Sequence, residues 1–269
     1  MTVHMKRVLT GVISVSLLIG IVYFAPSWVF TIFILFIALA SLNEFYSMMN
    51  FEAPVVIVFG NYTLTAALFC SLLVKDYLYI AMLPLFVILP FALSIFHYQK
   101  IHPKAGDIGQ IIIGPFYICL PLVLLVIIAR LPQGPWWVFF ILAVIFAGDT
   151  GSFYFGKLLG RHTLSRISPG KTWEGAAGGL LSNIASAGIY AHLFFPSLSV
   201  TSIMVLSILI GISGQIGDLA ESMLKRISKV KDSGRILPGH GGLLDRIDSL
   251  LFSIPILYLY LTYKGLLGS

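Results

Sequence analysis

Five carboxylates in the second half of the chain have spacings that could support metal-dependent chemistry. Asp218 and Glu221 lie three residues apart, as do Asp245 and Asp248, so each pair would occupy one face of a helix. Asp149 lies among small residues in A-G-D-T-G-S, where another helix or a ligand can approach closely. Carboxylates without histidine or cysteine at metal-ligand spacing suit Mg²⁺ rather than zinc. These residues therefore predict a magnesium site.

Each of these carboxylates also has a structural interpretation. Asp149 could hydrogen-bond to a neighbouring helix, although Ser or Asn would do so at lower cost. Glu221 could belong to a network of ion pairs within its own helix. Asp245 and Asp248 could complement the dipole at a helix start, which explains one acid better than two. Because carboxylates within membrane spans are costly and usually functional, the chemical interpretation is favoured for the group.

The densest group of charges lies between residues 222 and 248, around the turn P-G-H-G-G at 238–242. Glycines permit positive φ angles and close approach of a ligand, and exposed N–H groups beside cations favour anions. His240 could donate a hydrogen bond to a phosphate or could serve the loop structurally. The charged residues of this segment are Lys225, Arg226, Lys229, Lys231, Asp232, Arg235, Asp245, Arg246 and Asp248. The segment predicts a phosphate-binding loop.

A second cationic stretch reads S-P-G-K-T-W-E-G over residues 168–175. Pro169 and Gly170 predict a turn, and residues 172–174 predict the start of a helix. Lys171 at a helix start opposes the helix dipole, which a bound anion would explain; topological charge explains it equally well. The chain has no Walker motif and no G-x-S-x-G motif, which excludes a P-loop nucleotide site and an α/β-hydrolase site.

The elements that must position these residues are membrane helices. Hydrophobic residues make up 58% of the chain and charged residues 10%, whereas a soluble domain carries about a quarter charged residues. Continuous apolar runs predict an all-α, polytopic membrane protein and disfavour a barrel. About nine spans are predicted, at residues 8–25, 28–49, 54–74, 77–98, 108–128, 135–159, 173–195, 201–224 and 247–263. The first is interpreted as an uncleaved helix, because no small-x-small cleavage site follows it.

The spans are predicted to form two groups. Residues 1–134 hold about five N-terminal spans, and residues 135–269 hold about four catalytic spans with cytoplasmic loops. The orientation follows from the positive-inside rule. Of the 17 Lys and Arg residues, 14 fall at the N-terminus or near the loops at 99–107, 157–172 and 225–246. These regions are therefore predicted to be cytoplasmic, where their charge faces anionic lipid rather than nucleic acid.

Carboxylates, cations and glycine-rich turns at a cytoplasmic membrane surface fit phosphoryl or nucleotidyl transfer onto a lipid. Such chemistry needs charge neutralisation and in-line positioning more than a covalent nucleophile. A transporter that uses the embedded acids as an ion path is the alternative from another class. Transport would leave the charged P-G-H-G-G loop unexplained.

Residues 222–248 resemble the signature of the phosphatidate cytidylyltransferase (CDP-diacylglycerol synthase) family. The 27 residues follow S-x-x-K-R-x-x-x-x-K-D-x-G-x-x-L-P-G-H-G-G-x-x-D-R-x-D without a departure. G-D-T-G-S-F-Y-F-G-K at 148–157 and S-P-x-K-T-x-E-G at 168–175 also resemble the family, with Ser152 where many relatives have Ala. The first five spans match only in hydrophobic character. The CDP-alcohol transferases are disfavoured, because their D-G-x-x-A-R…G-x-x-x-D-x-x-x-D pattern is absent.

The resemblance implies a bacterial inner-membrane enzyme that transfers CMP from CTP to phosphatidic acid and releases CDP-diacylglycerol and pyrophosphate. It also implies Mg²⁺, often a monovalent cation such as K⁺, and a homodimer. The expected metal ligands are Asp218 and Asp245, assisted by Asp149 and Asp248. The expected catalytic residues are Asp218, Asp245, Asp248, Lys225 and Arg226. The expected substrate-binding residues are Lys171, Ser222, Lys231, Arg235, His240, Gly241 and Gly242.

Overall fold

The structure, a computed structural model, describes residues 16–49, 55–74, 78–101, 105–234, 236 and 241–267. Helices follow the predicted apolar runs through most of this part of the chain, which confirms the all-α fold class. The helices are α1 (described over residues 16–24), α2 (Ser27–Met49), α3 (Val55–Val74), α4 (Leu78–Met82), α5 (Leu85–Ile101), α6 (Ala105–Ala129), α7 (Gly134–Leu159), α8 (Trp173–Phe194), α9 (Val200–Ile227) and α10 (Leu244–Tyr263).

Six helical segments of the described residues are long and apolar enough to cross a membrane, judged by length and composition. They are Ser27–Met49, Val55–Val74, Leu78–His97, Gly106–Ala129, Gly134–Leu159 and Val200–Ile227. The predicted spans at α8 and α10 are not in this set; α10, for example, begins with three charged residues in its first five. The chain is thus a multi-pass helical membrane protein, and the count of nine spans stays a prediction.

The fourth predicted span is divided into α4 and α5 around Pro84. Proline has no N–H to continue a helix, and its ring disfavours a helical conformation of the residue before it. The Pro84 carbonyl accepts hydrogen bonds from the N–H groups of Val87 and Ile88, which begins α5. The apolar run nevertheless continues through both helices.

The predicted basic loop before α8 contains a two-stranded antiparallel hairpin. β1 (Thr163–Ser165) pairs with β2 (Ser168–Thr172). The last residue of β1 faces the first residue of β2, so residues 166–167 form the turn. The predicted turn at Pro169 and Gly170 is wrong, since both residues belong to β2. The hairpin leads directly into α8, which begins at the predicted position.

The chain divides into two compact units. One comprises Met1–Ile127 with Val230–Asp245, and the other comprises Ile128–Lys229 with Arg246–Ser269. The stretch 222–248 that resembles the family signature is therefore divided between the units. Its part in the first unit, residues 230–245, is called the signature loop below. The division predicted between residues 134 and 135 concerns groups of spans and stays a prediction.

In the first unit, a buried polar network fixes the end of α2 against α3 and α6. The Tyr46 hydroxyl and the Asn61 side-chain amide both donate to the carbonyl oxygen of Ile111, at 3.1 and 2.9 Å. The Asn61 amide also donates to the Tyr46 hydroxyl at 2.9 Å. Buried polar groups need such partners, so the network sets the rotation of α2 about its axis. It thereby orients Glu44, two residues before Tyr46.

In the second unit, α7 and α8 pack closely through small residues. A Cβ added to Gly175 of α8 would lie 2.8 Å from the Ser152 carbonyl oxygen of α7, which is closer than real contacts allow. Small residues let two helix backbones approach in this way, as they do in membrane proteins generally. The close approach brings the segment that carries Asp149 beside the start of α8.

Candidate active site

The second unit contains a cavity of about 410 Å³ that combines cations, carboxylates and small residues. Its walls come from α7, the hairpin, α8 and α9. The lining residues are Asp149, Ser152, Phe153, Gly156, Lys157, Leu164, Gly170, Lys171, Thr172, Gly175, Ala176, Gln215 and Asp218. Two of the three stretches that carry the family resemblance, 148–157 and 168–175, therefore meet at one cavity. A concave site with a few convergent polar groups is typical of small-molecule binding.

Lys171 and Asp218 form an ion pair at this cavity, with 2.5 Å between Nζ and Oδ2. The two side chains are 28% and 36% exposed, so water reaches both. The sequence predicted phosphate binding for Lys171 and metal binding for Asp218, but it did not predict their contact. The ammonium group places a positive charge beside the carboxylates of the cavity.

The hairpin positions Lys171 through contacts at the start of α8. The Thr172 hydroxyl accepts a hydrogen bond from the N–H of Gly175 and so caps α8. The carboxylate of Glu174 accepts hydrogen bonds from the N–H groups of Arg161 and His162, at 3.1 and 3.3 Å. Glu174 also lies 2.6 Å from Nδ1 of His162. These contacts join the base of the hairpin to the helix and limit where Lys171 can reach.

The carboxylates of Asp149, Asp218 and Asp248 lie near enough to repel one another within the second unit. Lys171 and Arg246 offset the charge of Asp149, and Lys225 offsets that of Asp248. An oxygen-only set of carboxylates beside cations fits a hard divalent ion such as Mg²⁺. Among the described residues, no three His, Cys, Asp or Glu form a compact metal cluster. The ligand set stays a prediction.

Three predicted residues of α9 lie in the second unit outside the cavity lining. Lys225 forms an ion pair with Glu221, whose side chain is fully buried. The guanidinium Nε of Arg226 donates to the Ile167 carbonyl at the hairpin turn, at 3.4 Å, and the side chain is otherwise exposed. Ser222 is buried. Lys225 therefore pairs with an acid of its own helix, and Arg226 connects α9 to the hairpin. The predicted roles of both residues in catalysis stay predictions.

Asp245 belongs to the first unit, where it stabilises the signature loop. Its Oδ2 accepts hydrogen bonds from the N–H and the hydroxyl of Ser233, both at 3.0 Å, and from the N–H of Gly242 at 2.8 Å. Gly241 has a φ of +81°, a left-handed conformation that favours glycine. A carboxylate in the first turn of a helix also complements the dipole. Asp245 therefore has a clear structural task beside its predicted catalytic one.

The remaining predicted residues are distributed as follows. Lys231 is exposed in the first unit, and Gly241 and Gly242 lie there beside Asp245. Arg235 and His240 lie outside the described residues.

Several residues, in the cavity of the second unit and separately in the first unit, were assigned no role from the sequence. Ser152, Lys157 and Gln215 line the cavity, and the first two lie within the quoted stretch 148–157. Glu44 is buried and contacts the signature loop. Its signal was a carboxylate near the end of an apolar run, since charged groups in membrane spans usually have a function.

Together, the fold and the cavity define a multi-pass membrane protein with a cavity lined by lysines and carboxylates. The sequence profile of the Cytidylyltransferase family matches residues 5–264. The chain therefore belongs to the cytidylyltransferase family, which confirms the resemblance seen in the motifs.

Three relatives illustrate the similarity. The chain is 40% identical over 157 residues to the phosphatidate cytidylyltransferase of Bacillus subtilis (strain 168), which covers 58% of each chain. It is 42% identical over 130 residues to that of Staphylococcus saprophyticus, covering 48% of this chain and 50% of the relative. For the Haemophilus influenzae protein the identity is 40% over 121 residues, covering 43% and 42%. The chain thus spans about half the length of the curated relatives it matches.

Proposed function

We propose that this protein is a phosphatidate cytidylyltransferase. It transfers CMP from CTP to phosphatidic acid and releases pyrophosphate. The observation that carries the proposal is the cavity in which Lys171, Lys157, Asp149 and Asp218 converge, in a chain of the cytidylyltransferase family. The names of its relatives support the same substrates. A membrane protein also has direct access to this substrate, because phosphatidic acid resides in the bilayer.

The reaction is a direct displacement at phosphorus. An oxygen of the phosphatidate phosphate forms a bond to the α-phosphorus of CTP, and the bond from that phosphorus to the bridging oxygen of the β-phosphate breaks. The attacking phosphate is largely ionised at neutral pH, since its second pKa is about 6, so no strong general base is required. The protein must instead hold two anions together, which is the task of Lys171 and Lys157 at the cavity.

A divalent ion, when bound, neutralises the phosphate charge and orients the triphosphate. In the second unit Asp218 would hold it, assisted by Asp149 and Asp248. Asp245, which the sequence predicts as a main ligand together with Asp218, stays a prediction. Mg²⁺ in nucleotide sites is commonly held by one or two carboxylates together with substrate phosphates, so these acids are a sufficient donor set. A monovalent cation and a homodimer, both implied by the family resemblance, complete the proposal.

The test is a reconstituted assay. Purified protein is incubated with CTP labelled in the cytosine ring, phosphatidic acid and Mg²⁺, and lipid-phase label is measured. We expect labelled CDP-diacylglycerol together with an equal amount of pyrophosphate, and none when phosphatidic acid is replaced by diacylglycerol. Absence of labelled lipid in a monodisperse, folded preparation would refute the proposal. Ion flux in proteoliposomes without formation of CDP-diacylglycerol would favour the alternative hypothesis, a transporter.

The active site is proposed to face the cytoplasm of a bacterial inner membrane, and the two ends of α8 test this. Thr163 before α8 and Ser197 after it are both exposed. In a Cys70→Ser background, we expect a Thr163→Cys variant to react with a membrane-impermeant thiol reagent only after spheroplasts are opened. A Ser197→Cys variant should react in intact spheroplasts. The reverse labelling pattern would contradict the proposed orientation.

A further inference from the structure

Glu44 is a carboxylate of the first unit that the proposed reaction does not use. It lies near the end of α2 and is only 3% exposed. Its sequence position is far from all three stretches that carry the family resemblance. A buried carboxylate is costly unless its oxygens accept hydrogen bonds, so its contacts indicate what it does.

Within the part of the chain that the structure describes, Glu44 accepts its hydrogen bonds from Ser233 of the signature loop and from the first residue of α10. Its Oε2 accepts a hydrogen bond from the N–H of Leu244 at 2.9 Å and from the hydroxyl of Ser233 at 3.3 Å. Leu244 is the first residue of α10, so its N–H has no partner within that helix. Glu44 therefore caps α10 from a helix about 200 residues away in the chain.

The loop also fits tightly around this carboxylate. A Cβ added to Gly242 would lie 2.6 Å from Oε2 of Glu44, and one added to Gly234 would lie 2.6 Å from Cδ. Both distances are shorter than real Cβ contacts. The two glycines of the loop thus leave just enough space for the Glu44 side chain between them.

Glu44 is further connected to Asp245 by a shared hydroxyl group. The hydroxyl of Ser233 lies 3.3 Å from Oε2 of Glu44 and 3.0 Å from Oδ2 of Asp245. One hydroxyl has one proton to donate, so Ser233 couples the two carboxylates. Without Glu44 the hydroxyl of Ser233 would have Asp245 as its remaining carboxylate acceptor, and Ser233 would lose the contact that ties it to α2.

We infer that Glu44 is a positioning residue, which holds Ser233, Gly242 and Leu244 in the conformation that the reaction needs. The inference rests on the proposed function for its effect on catalysis, but the loop contacts are independent of it. Glu44 acts through Ser233, Leu244 and Asp245 and not by contact with substrate.

The test combines hydrogen–deuterium exchange with kinetics on purified full-length protein. Glu44→Ala leaves the Leu244 N–H without an acceptor, and Glu44→Gln keeps an oxygen that can accept. Leaving a buried donor without its acceptor changes the equilibrium constant for local opening by roughly tenfold. We expect Glu44→Ala to speed exchange in peptides from 230–245 about tenfold and to lower kcat by a similar factor, with KM for CTP little changed. Glu44→Gln should restore most of both.

Ser41→Ala is the matched control, since Ser41 is a buried polar residue one turn earlier on α2. It should leave exchange in the loop and kcat unchanged. Exchange in 230–245 that is the same in Glu44→Ala as in Ser41→Ala would overturn the inference. So would a Glu44→Gln variant that behaves like Glu44→Ala in both measurements. If wild-type protein makes no CDP-lipid, the proposed function fails, and the exchange data still decide the role of Glu44.

Discussion

Asp218→Asn is expected to abolish CDP-lipid formation while the protein stays folded. Asparagine keeps the size of aspartate and one oxygen acceptor but removes the charge. In the structure that charge forms the ion pair with Lys171 and repels the neighbouring carboxylates Asp149 and Asp248. Removing this charge lowers the affinity of the cavity for a divalent ion and takes away the carboxylate that pairs with Lys171. Losses of about a hundredfold or more in kcat are typical when one electrostatic contact of this kind is removed.

The measurement is CDP-lipid formation across a Mg²⁺ titration with monodisperse protein. We expect the activity of Asp218→Asn to stay near background at every Mg²⁺ concentration. Asp107→Asn in α6 makes the same chemical change outside the cavity and should retain normal activity. Near-normal turnover by Asp218→Asn with an unchanged Mg²⁺ requirement would show that Asp218 only neutralises Lys171.

Asp245 calls for two substitutions, because the structure assigns it a structural task. Its Oδ2 accepts three hydrogen bonds from Ser233 and Gly242, and the side-chain oxygen of asparagine could accept the same bonds. Asp245→Asn should therefore keep the loop and lose the charge, whereas Asp245→Ala should lose both. If the charge serves catalysis, as the sequence predicts, both variants should lose about a hundredfold or more in kcat.

Exchange in peptides from 230–245 separates the two variants. We expect near-normal protection in Asp245→Asn and faster exchange in Asp245→Ala. An Asp245→Asn variant with nearly normal kcat, beside an inactive Asp245→Ala variant, would mean that Asp245 stabilises the helix start and the loop only. The predicted metal role of Asp245 would then be wrong.

The sequence by itself determined the class of the protein and most of the residues worth testing. Apolar runs of about 20 residues require helices in a bilayer, because only helices satisfy their own backbone polar groups there. The same reasoning identified Asp149 and Asp218 as unusual, since a charge in an apolar run has to be compensated. Both line the cavity. The start of α8 also followed from local chemistry, because a Thr172 cap requires only neighbouring residues.

Only the tertiary structure decided which of these residues meet. The ion pair between Lys171 and Asp218 depends on a hairpin that the sequence analysis did not predict, since it placed a turn at Pro169 and Gly170. The cap that Glu44 provides for Leu244 joins residues 200 positions apart. Periodicity describes one helix at a time and carries no information on contacts between distant segments. The partners of a carboxylate, which decide whether it binds, caps or neutralises, are set by packing.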